Sequence, residues 1–218
     1  MAQKAYKHGS DSRIEYPKIN VYDAHYLRVR RNIALPEDFK ETITEYMYLA
    51  FPGDSEQKLI SLSTPNPHPI MCVWAIDKNP ARLLFYATVC FSQPALEVAF
   101  NVTDSTYLSA IGKKTFKYYK IDDNLRVKHQ NFNGPPNLSQ EFSCHAWLES
   151  KGMVLCTDEG NIYYHDENAD FKYEIKHNMG AWQICCVKSY SKGFVVGGDN
   201  LTINVFNHTD NSGQLVFE

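Results

Sequence analysis

Met71-Cys72-Val73-Trp74-Ala75-Ile76-Asp77 is a short apolar run with an aromatic near its centre and an acid at its end. The same kind of run returns as Ile19-Asn20-Val21-Tyr22-Asp23, Phe116-Lys117-Tyr118-Tyr119-Lys120-Ile121-Asp122, Ile162-Tyr163-Tyr164-His165-Asp166 and Ile203-Asn204-Val205-Phe206-Asn207. Taking Tyr22, Trp74, Tyr119, Tyr164 and Phe206 as anchors, the intervals are 52, 45, 45 and 42 residues. That is a period. The long first interval has a local cause, because Ser63-Thr64-Pro65-Asn66-Pro67-His68-Pro69 is too rich in proline to be strand interior.

Around each anchor lie further strand-like runs, so that each period holds four. Before the anchors come Glu45–Phe51 with Lys58–Ser63, Leu96–Asn101 with Tyr107–Ile111, Phe142–Leu148 with Met153–Thr157, and Trp182–Val187 with Gly193–Gly197. After them come Leu27–Leu35, Arg82–Thr88, Asn124–His129 and Phe171–Lys176. Turn formers such as Thr103-Asp104-Ser105 and Asp158-Glu159-Gly160-Asn161 separate the runs, as hairpins require. Four antiparallel strands recurring at this spacing predict an all-β chain, a partial WD40-type β-propeller of about four to five four-stranded blades. A sandwich would not repeat one pattern at that interval.

The expected blade units are 19–35, 45–88, 96–130, 142–176 and 182–218, preceded by a flexible N-terminal segment, 1–18. A complete seven-bladed ring would need about 315 residues, and the chain has 218. It therefore reads as part of a longer protein. A five-bladed ring lacking one hairpin and completion by a partner chain are the alternatives.

Composition fits this reading. Apolar residues make 44% and charged residues 22%, which excludes disorder as the overall state, and the net charge of −3 argues against a general nucleic-acid binder. No stretch approaches the roughly 20 apolar residues of a membrane span, and Met1–Arg13 lacks the apolar core of a signal peptide. A soluble, non-secreted protein is expected, with Cys72, Cys90, Cys144, Cys156, Cys185 and Cys186 reduced and used as small core or interface filler.

Chemistry is sparse. The eight histidines show no metal-ligand spacing. His145 shares one side of a strand with Trp147, which predicts packing or a hydrogen bond to a neighbouring blade. Gly197-Gly198-Asp199 lies between two strands, so it reads as a hairpin turn and not a phosphate cradle. Catalytic, cofactor and metal residues are accordingly all assigned as none, and the chain is expected not to be an enzyme. Two basic groups remain: Arg28, Arg30 and Arg31, and the strip Lys113, Lys114, Lys117 and Lys120, in which alternation puts Lys113 and Lys117 on one side.

The middle of the chain is similar to the cilia- and flagella-associated WD-repeat proteins, whose chains carry two propellers and a long coiled coil. The likeness runs from about Tyr46 to Ile175. Its carriers are Met71-Cys72-Val73-Trp74, Val98-Ala99-Phe100-Asn101-Val102-Thr103-Asp104, Gly112, Phe116-Lys117-Tyr118-Tyr119, His145-Ala146-Trp147-Leu148 and Cys156-Thr157-Asp158-Glu159-Gly160-Asn161-Ile162. No coiled-coil pattern occurs here, so nothing that such a segment does is carried over. The resemblance implies a scaffold of the ciliary or flagellar axoneme that tethers inner dynein arms and regulatory complexes to doublet microtubules. Its implied partners are proteins, with acidic tubulin surface facing the lysine strip; no nucleic acid and no membrane insertion are expected. A general cytosolic WD-repeat adaptor is the competing reading.

Overall fold

The computed structural model describes residues 16–52, 57–64, 68–77, 79–88, 95–122, 127–130, 132–136, 139–149, 152–178, 180, 182–211 and 214–217. The expected flexible segment 1–18 lies outside the described residues except for its last three, as does Cys90. Alternating apolar and polar residues between turn formers give strands throughout, and among the described residues there is no α-helix.

Among the described residues, eighteen strands form five antiparallel sheets. A two-stranded sheet pairs β1 (Ile19–Tyr22) with β2 (Val29–Ile33). Sheet one runs β3 (Tyr46–Ala50), β4 (Lys58–Ser63), β5 (Ile70–Ala75) and β6 (Arg82–Thr88). Sheet two is β7 (Ala95–Phe100), β8 (Tyr107–Gly112), β9 (Thr115–Ile121) and β10 (Val127–Gln130). Sheet three holds β11 (Phe142–Leu148), β12 (Gly152–Thr157), β13 (Ile162–Asp166) and β14 (Phe171–Glu174). Sheet four holds β15 (Ile184–Tyr190), β16 (Gly193–Gly198), β17 (Ile203–Asn211) and β18 (Gln214–Phe217). Every strand pairs with its chain neighbour.

The sheets pack face against face in sequence order, and their first strands meet: β3 with β7, β7 with β11, and β11 with β15. These strands line the inner side of a propeller-like row that does not close into a ring. Each gap between sheets holds one apolar cluster. Ile19 and Ile33 pack with Trp74; Ile60 and Val73 with Val98 and Tyr119; Ile111 and Phe116 with Trp147 and Leu155; Val154 and Tyr164 with Phe194 and Phe206. Burial at about 25 cal/mol per Å² makes these faces the main source of stability.

All four inner strands bulge at the same place, between Tyr46 and Tyr48, Ala95 and Glu97, Phe142 and Cys144, and Ile184 and Cys186. Strand register also fixes which residues are equivalent. Trp74 opposes Leu59, Tyr119 opposes Leu108, His165 opposes Met153 and Phe206 opposes Phe194. The anchor in sheet three is therefore His165, a correction to the choice of Tyr164. Of these two neighbours, His165 faces back against Phe132 and Phe171, whereas Tyr164 faces sheet four. Tyr164 and His165 are adjacent rings with no signal of which face each takes, so periodicity alone misses the step by one residue.

At the end of the row, Ile203 is 76% and Val205 54% exposed, although their counterparts in sheet three, Ile162 and Tyr164, are 0% and 7% exposed. Cys185 and Cys186 are also exposed, although Cys144, at the bulge position equivalent to Cys186, is buried against sheet four. They are not core filler.

Candidate functional site

The inner strands carry a polar line that crosses three sheets. From sheet one, the Tyr48 hydroxyl donates to Glu97 Oε1 at 2.8 Å. In sheet three, the backbone N–H of His145 and its ring Nδ1 both reach Glu97 Oε2 at 3.0 Å. His145 Nε2 stands 2.6 Å from Ser109 Oγ, and Trp147 Nε1 donates to that same oxygen at 2.8 Å. An ionised carboxylate only accepts, so the His145 Nδ1–H points to Glu97. Burial alone would raise the Glu97 carboxyl, but the hydrogen bond and electrostatic attraction of the His145 ring, with hydrogen bonds from Tyr48 and the His145 backbone, outweigh it and hold the group down to about 2. Burial beside that carboxylate pushes the Tyr48 phenol well up.

Ser109, His145 and Glu97 follow the order of a nucleophile, base and acid. Their surroundings forbid that use. Ser109 is wholly buried and His145 nearly so, and the serine oxygen already accepts the Trp147 proton, so no carbonyl can reach it. The line is a tie between blades, as alternation predicted for His145. Glu97, Ser109 and Tyr48 were not legible as its partners, since they lie 36 or more residues away in the chain. The signal that finds two of them is the shared bulge, which puts Tyr48 and Glu97 at equivalent positions in successive sheets.

The basic strip is largely committed within the fold. Lys113 Nζ pairs with Glu141 at 3.1 Å, Lys120 Nζ lies 4.8 Å above the Tyr107 ring, and Lys117 also has a partner. In the arginine group, Arg31 donates to the carbonyls of Ile76 and Asp77. Gly197-Gly198-Asp199 joins β16 to the turn before β17, with Gly198 N–H donating to the Thr202 carbonyl.

An open cleft of about 720 Å³ lies at one rim, larger than two other hollows of about 350 and 380 Å³. It lies where the β12–β13 turn meets the chain leaving β14 and entering β15. Asp158, Glu159, Asn161, Glu174, His177 and Trp182 line it. Gly160 takes a left-handed φ of 88° in that turn, where an added Cβ would stand 2.7 Å from the Trp182 carbonyl. The Trp182 ring packs against Gly198 so closely that a Cβ there would overlap it. His177 Nε2 donates to the Gly160 carbonyl at 2.8 Å, and Asp158 accepts the Glu141 N–H. The Lys176 ammonium beside Glu174 lowers its carboxyl, against a smaller opposite push from burial. These contacts fix the cleft walls.

No protein-family model matches the chain. Among curated proteins it is similar to cilia- and flagella-associated protein 57 A of Tetrahymena thermophila, 26% identical over 178 residues. That match covers 72% of this chain and 13% of the relative. Among solved structures it is similar to the β-propeller domain of Myceliophteria thermophila Cps50 (Swd1), with a TM-score of 0.68, 13% identity, and coverage of 92% of this chain and 64% of that one. The WD40 β-propeller domain of Doa1 matches with a TM-score of 0.59, 15% identity, and coverage of 85% and 56%. These structural likenesses establish the fold as a WD40-type β-propeller. No helix among the described residues is long and apolar enough to cross a membrane.

Proposed function

We propose that this chain is a non-catalytic protein-docking scaffold of the ciliary or flagellar axoneme, acting in a tether that holds inner dynein arms and regulatory complexes to doublet microtubules. The observation that carries the ciliary part is the similarity to the Tetrahymena protein, over 178 residues of a sheet-repeat region. Docking is supported by the architecture, because rigid sheets deliver many loops to two rims where partners bind without any change in the core. The sealed Ser109–His145–Glu97 line supports a structural and not a catalytic use of the most reactive-looking residues. Tubulin is the weaker of the partner assignments, since Lys113 and Lys120 are engaged within the fold.

The test is to tag the protein at its own locus and fractionate demembranated cilia. The tagged species is expected in the axonemal pellet and in cross-links to inner-arm dynein subunits. Recovery in another multiprotein complex, with none in axonemes, would replace this reading with that of a general WD-repeat adaptor.

A further inference from the structure

We propose that the outer face of sheet four, the last in the row, docks a β-sheet of a partner protein that lays apolar side chains over Ile203 and Val205 and sets a carboxylate against Lys188. The inference names the chemistry of one partner of the docking scaffold described above, and rests on that reading.

The row shows what such a face carries. On the third strand of each sheet, two side chains point towards the next sheet: Met71 and Val73 in sheet one, Phe116 and Tyr118 in sheet two, Ile162 and Tyr164 in sheet three. All six are buried. Ile203 and Val205 hold the same two places in sheet four, where strand register sets them opposite Gly197 and Val195, and both are exposed. The sequence repeats as well. Ile19-Asn20-Val21-Tyr22 of β1 is nearly copied as Ile203-Asn204-Val205-Phe206 of β17, and Ile19 and Val21 pack on sheet one beside Trp74. The same apolar pair therefore has a sheet over it at one end of the row and none at the other, and an open apolar patch in line with a series of sheet contacts marks an interaction surface.

Charge then selects the occupant. Two residues past the bulge residue of each inner strand stand Ala50, Ala99 and Ala146 in sheets one to three, each packed in the gap to the next sheet. In sheet four the equivalent residue is Lys188, which is exposed, and among the described residues no carboxylate forms an ion pair with it. A further blade like those in the row would press apolar residues such as Val98 or Val187 against that ammonium and leave it buried and unpaired. A second copy fits no better. Face to face it brings its own Lys188, and head to tail it brings Asn20, Asn32 and Arg30 of the two-stranded sheet. The complement of this face is a sheet from another protein, apolar where it meets β17 and acidic where it meets β15.

The experiment uses the protein tagged at its own locus, in its native complex, beside the purified 218-residue chain as the uncovered reference. Cys186 is the reporter, because it is exposed whereas Cys144, at the equivalent bulge position, is buried under sheet four. A short pulse of iodoacetamide, read by mass spectrometry, is expected to label Cys186 about tenfold more slowly in the complex than in the purified chain. Lys188→Glu should abolish that protection, and Lys192→Glu, at an exposed turn, should keep it. A water-soluble carbodiimide, which joins an amine to a carboxylate in contact with it, should link Lys188 to an acid of a different polypeptide. The proposal is overturned if Cys186 reacts alike in both samples, if Lys188→Glu leaves the protection intact, if Lys188 forms no link, or if it links to a carboxylate of this same sequence, within one chain or between two copies. Circular dichroism on the purified variants verifies that they fold. The two ideas fail separately: recovery in axonemes with Cys186 fully reactive leaves the scaffold reading standing without this surface, and Lys188-dependent protection in a complex outside axonemes does the reverse.

Discussion

His145 Nε2 and Ser109 Oγ lie 2.6 Å apart across the boundary between two sheets, and both are sealed from water. Most of the buried contact between sheets is through apolar side chains, which favour burial but not one particular alignment. A buried donor and acceptor that must meet adds that selectivity, because a slipped sheet would leave both unsatisfied. The Tyr48–Glu97–His145–Ser109–Trp147 line thus fixes the register of three successive blades.

Glu97→Gln tests the charged member of that line. The glutamine still fills the space but presents an N–H₂ to donors, and a loss of about 2–3 kcal/mol at pH 7 is expected in urea unfolding. The acid dependence has a definite sign. The folded carboxyl titrates at about 2 against an ordinary 4.5, so the unfolded chain binds the extra proton first. The stabilisation from this group is complete above pH 4.5 and disappears as the pH falls towards 2. Glu97→Gln should flatten the stability profile within that window.

His165→Phe should stabilise the chain. Among the described residues neither ring nitrogen of His165 finds a well-formed hydrogen bond, and the residue is wholly buried between Phe132 and Phe171. Its counterpart in sheet one shows what is missing: Trp74 Nε1 donates to Ser61 Oγ at 2.9 Å, and the position equivalent to Ser61 in sheet three is Leu155. Replacing the ring by phenylalanine removes a desolvated polar group, with an expected gain of about 1–2 kcal/mol at pH 7. Burial also lowers the His165 pKa to about 4 from 6.5, so the wild type loses stability as the pH drops from 6.5 to 4. The variant should lose less there. An unchanged or lower melting temperature would show that the nitrogens are satisfied in solution.

Much of this fold could be read in the chain before any coordinates. The anchor runs and their spacing specify four-stranded modules because Trp74, Tyr119 and Phe206 need a flat buried slot, and turn residues recur between them. Parity was not legible at Tyr164 and His165, since either neighbour can serve as an aromatic anchor and only the register against Met153 decides. The polar line was half legible. His145 announces itself by sharing a face with Trp147, whereas Glu97 looks like an ordinary exposed acid until the bulge turns it towards sheet three. The cleft was the least legible, because Asp158 and Glu159 read as turn residues and only the docking of Trp182 on Gly198 gives them a wall to face.

Ser61→Ala should cost about 1–3 kcal/mol, because it strands the Trp74 indole N–H in a buried site. Trp74→Phe in the same background removes the orphaned donor. The double variant is therefore expected to be less destabilised than the sum of the single changes, and a double-mutant cycle by chemical unfolding reads the coupling directly. Additive losses would mean that the contact carries no net energy.

Ile162 and Ile203 open the third strands of sheets three and four, but the first is covered by the next sheet and the second is exposed. Ile162→Asp would bury an unpaired carboxylate among Val154, Phe194 and Phe206, and should prevent folding or cost more than about 4 kcal/mol. Ile203→Asp meets water, so its effect on unfolding free energy should stay within about 0.5 kcal/mol. It should also reduce concentration-dependent self-association, because it breaks up the apolar surface formed with Val205 and Leu201. Sedimentation velocity on the wild type and Ile203→Asp, alongside unfolding curves for both variants, decides the matter. If Ile203→Asp proved as damaging to the isolated chain as Ile162→Asp, the last sheet would be covered in solution, and the row of blades would be closed or paired.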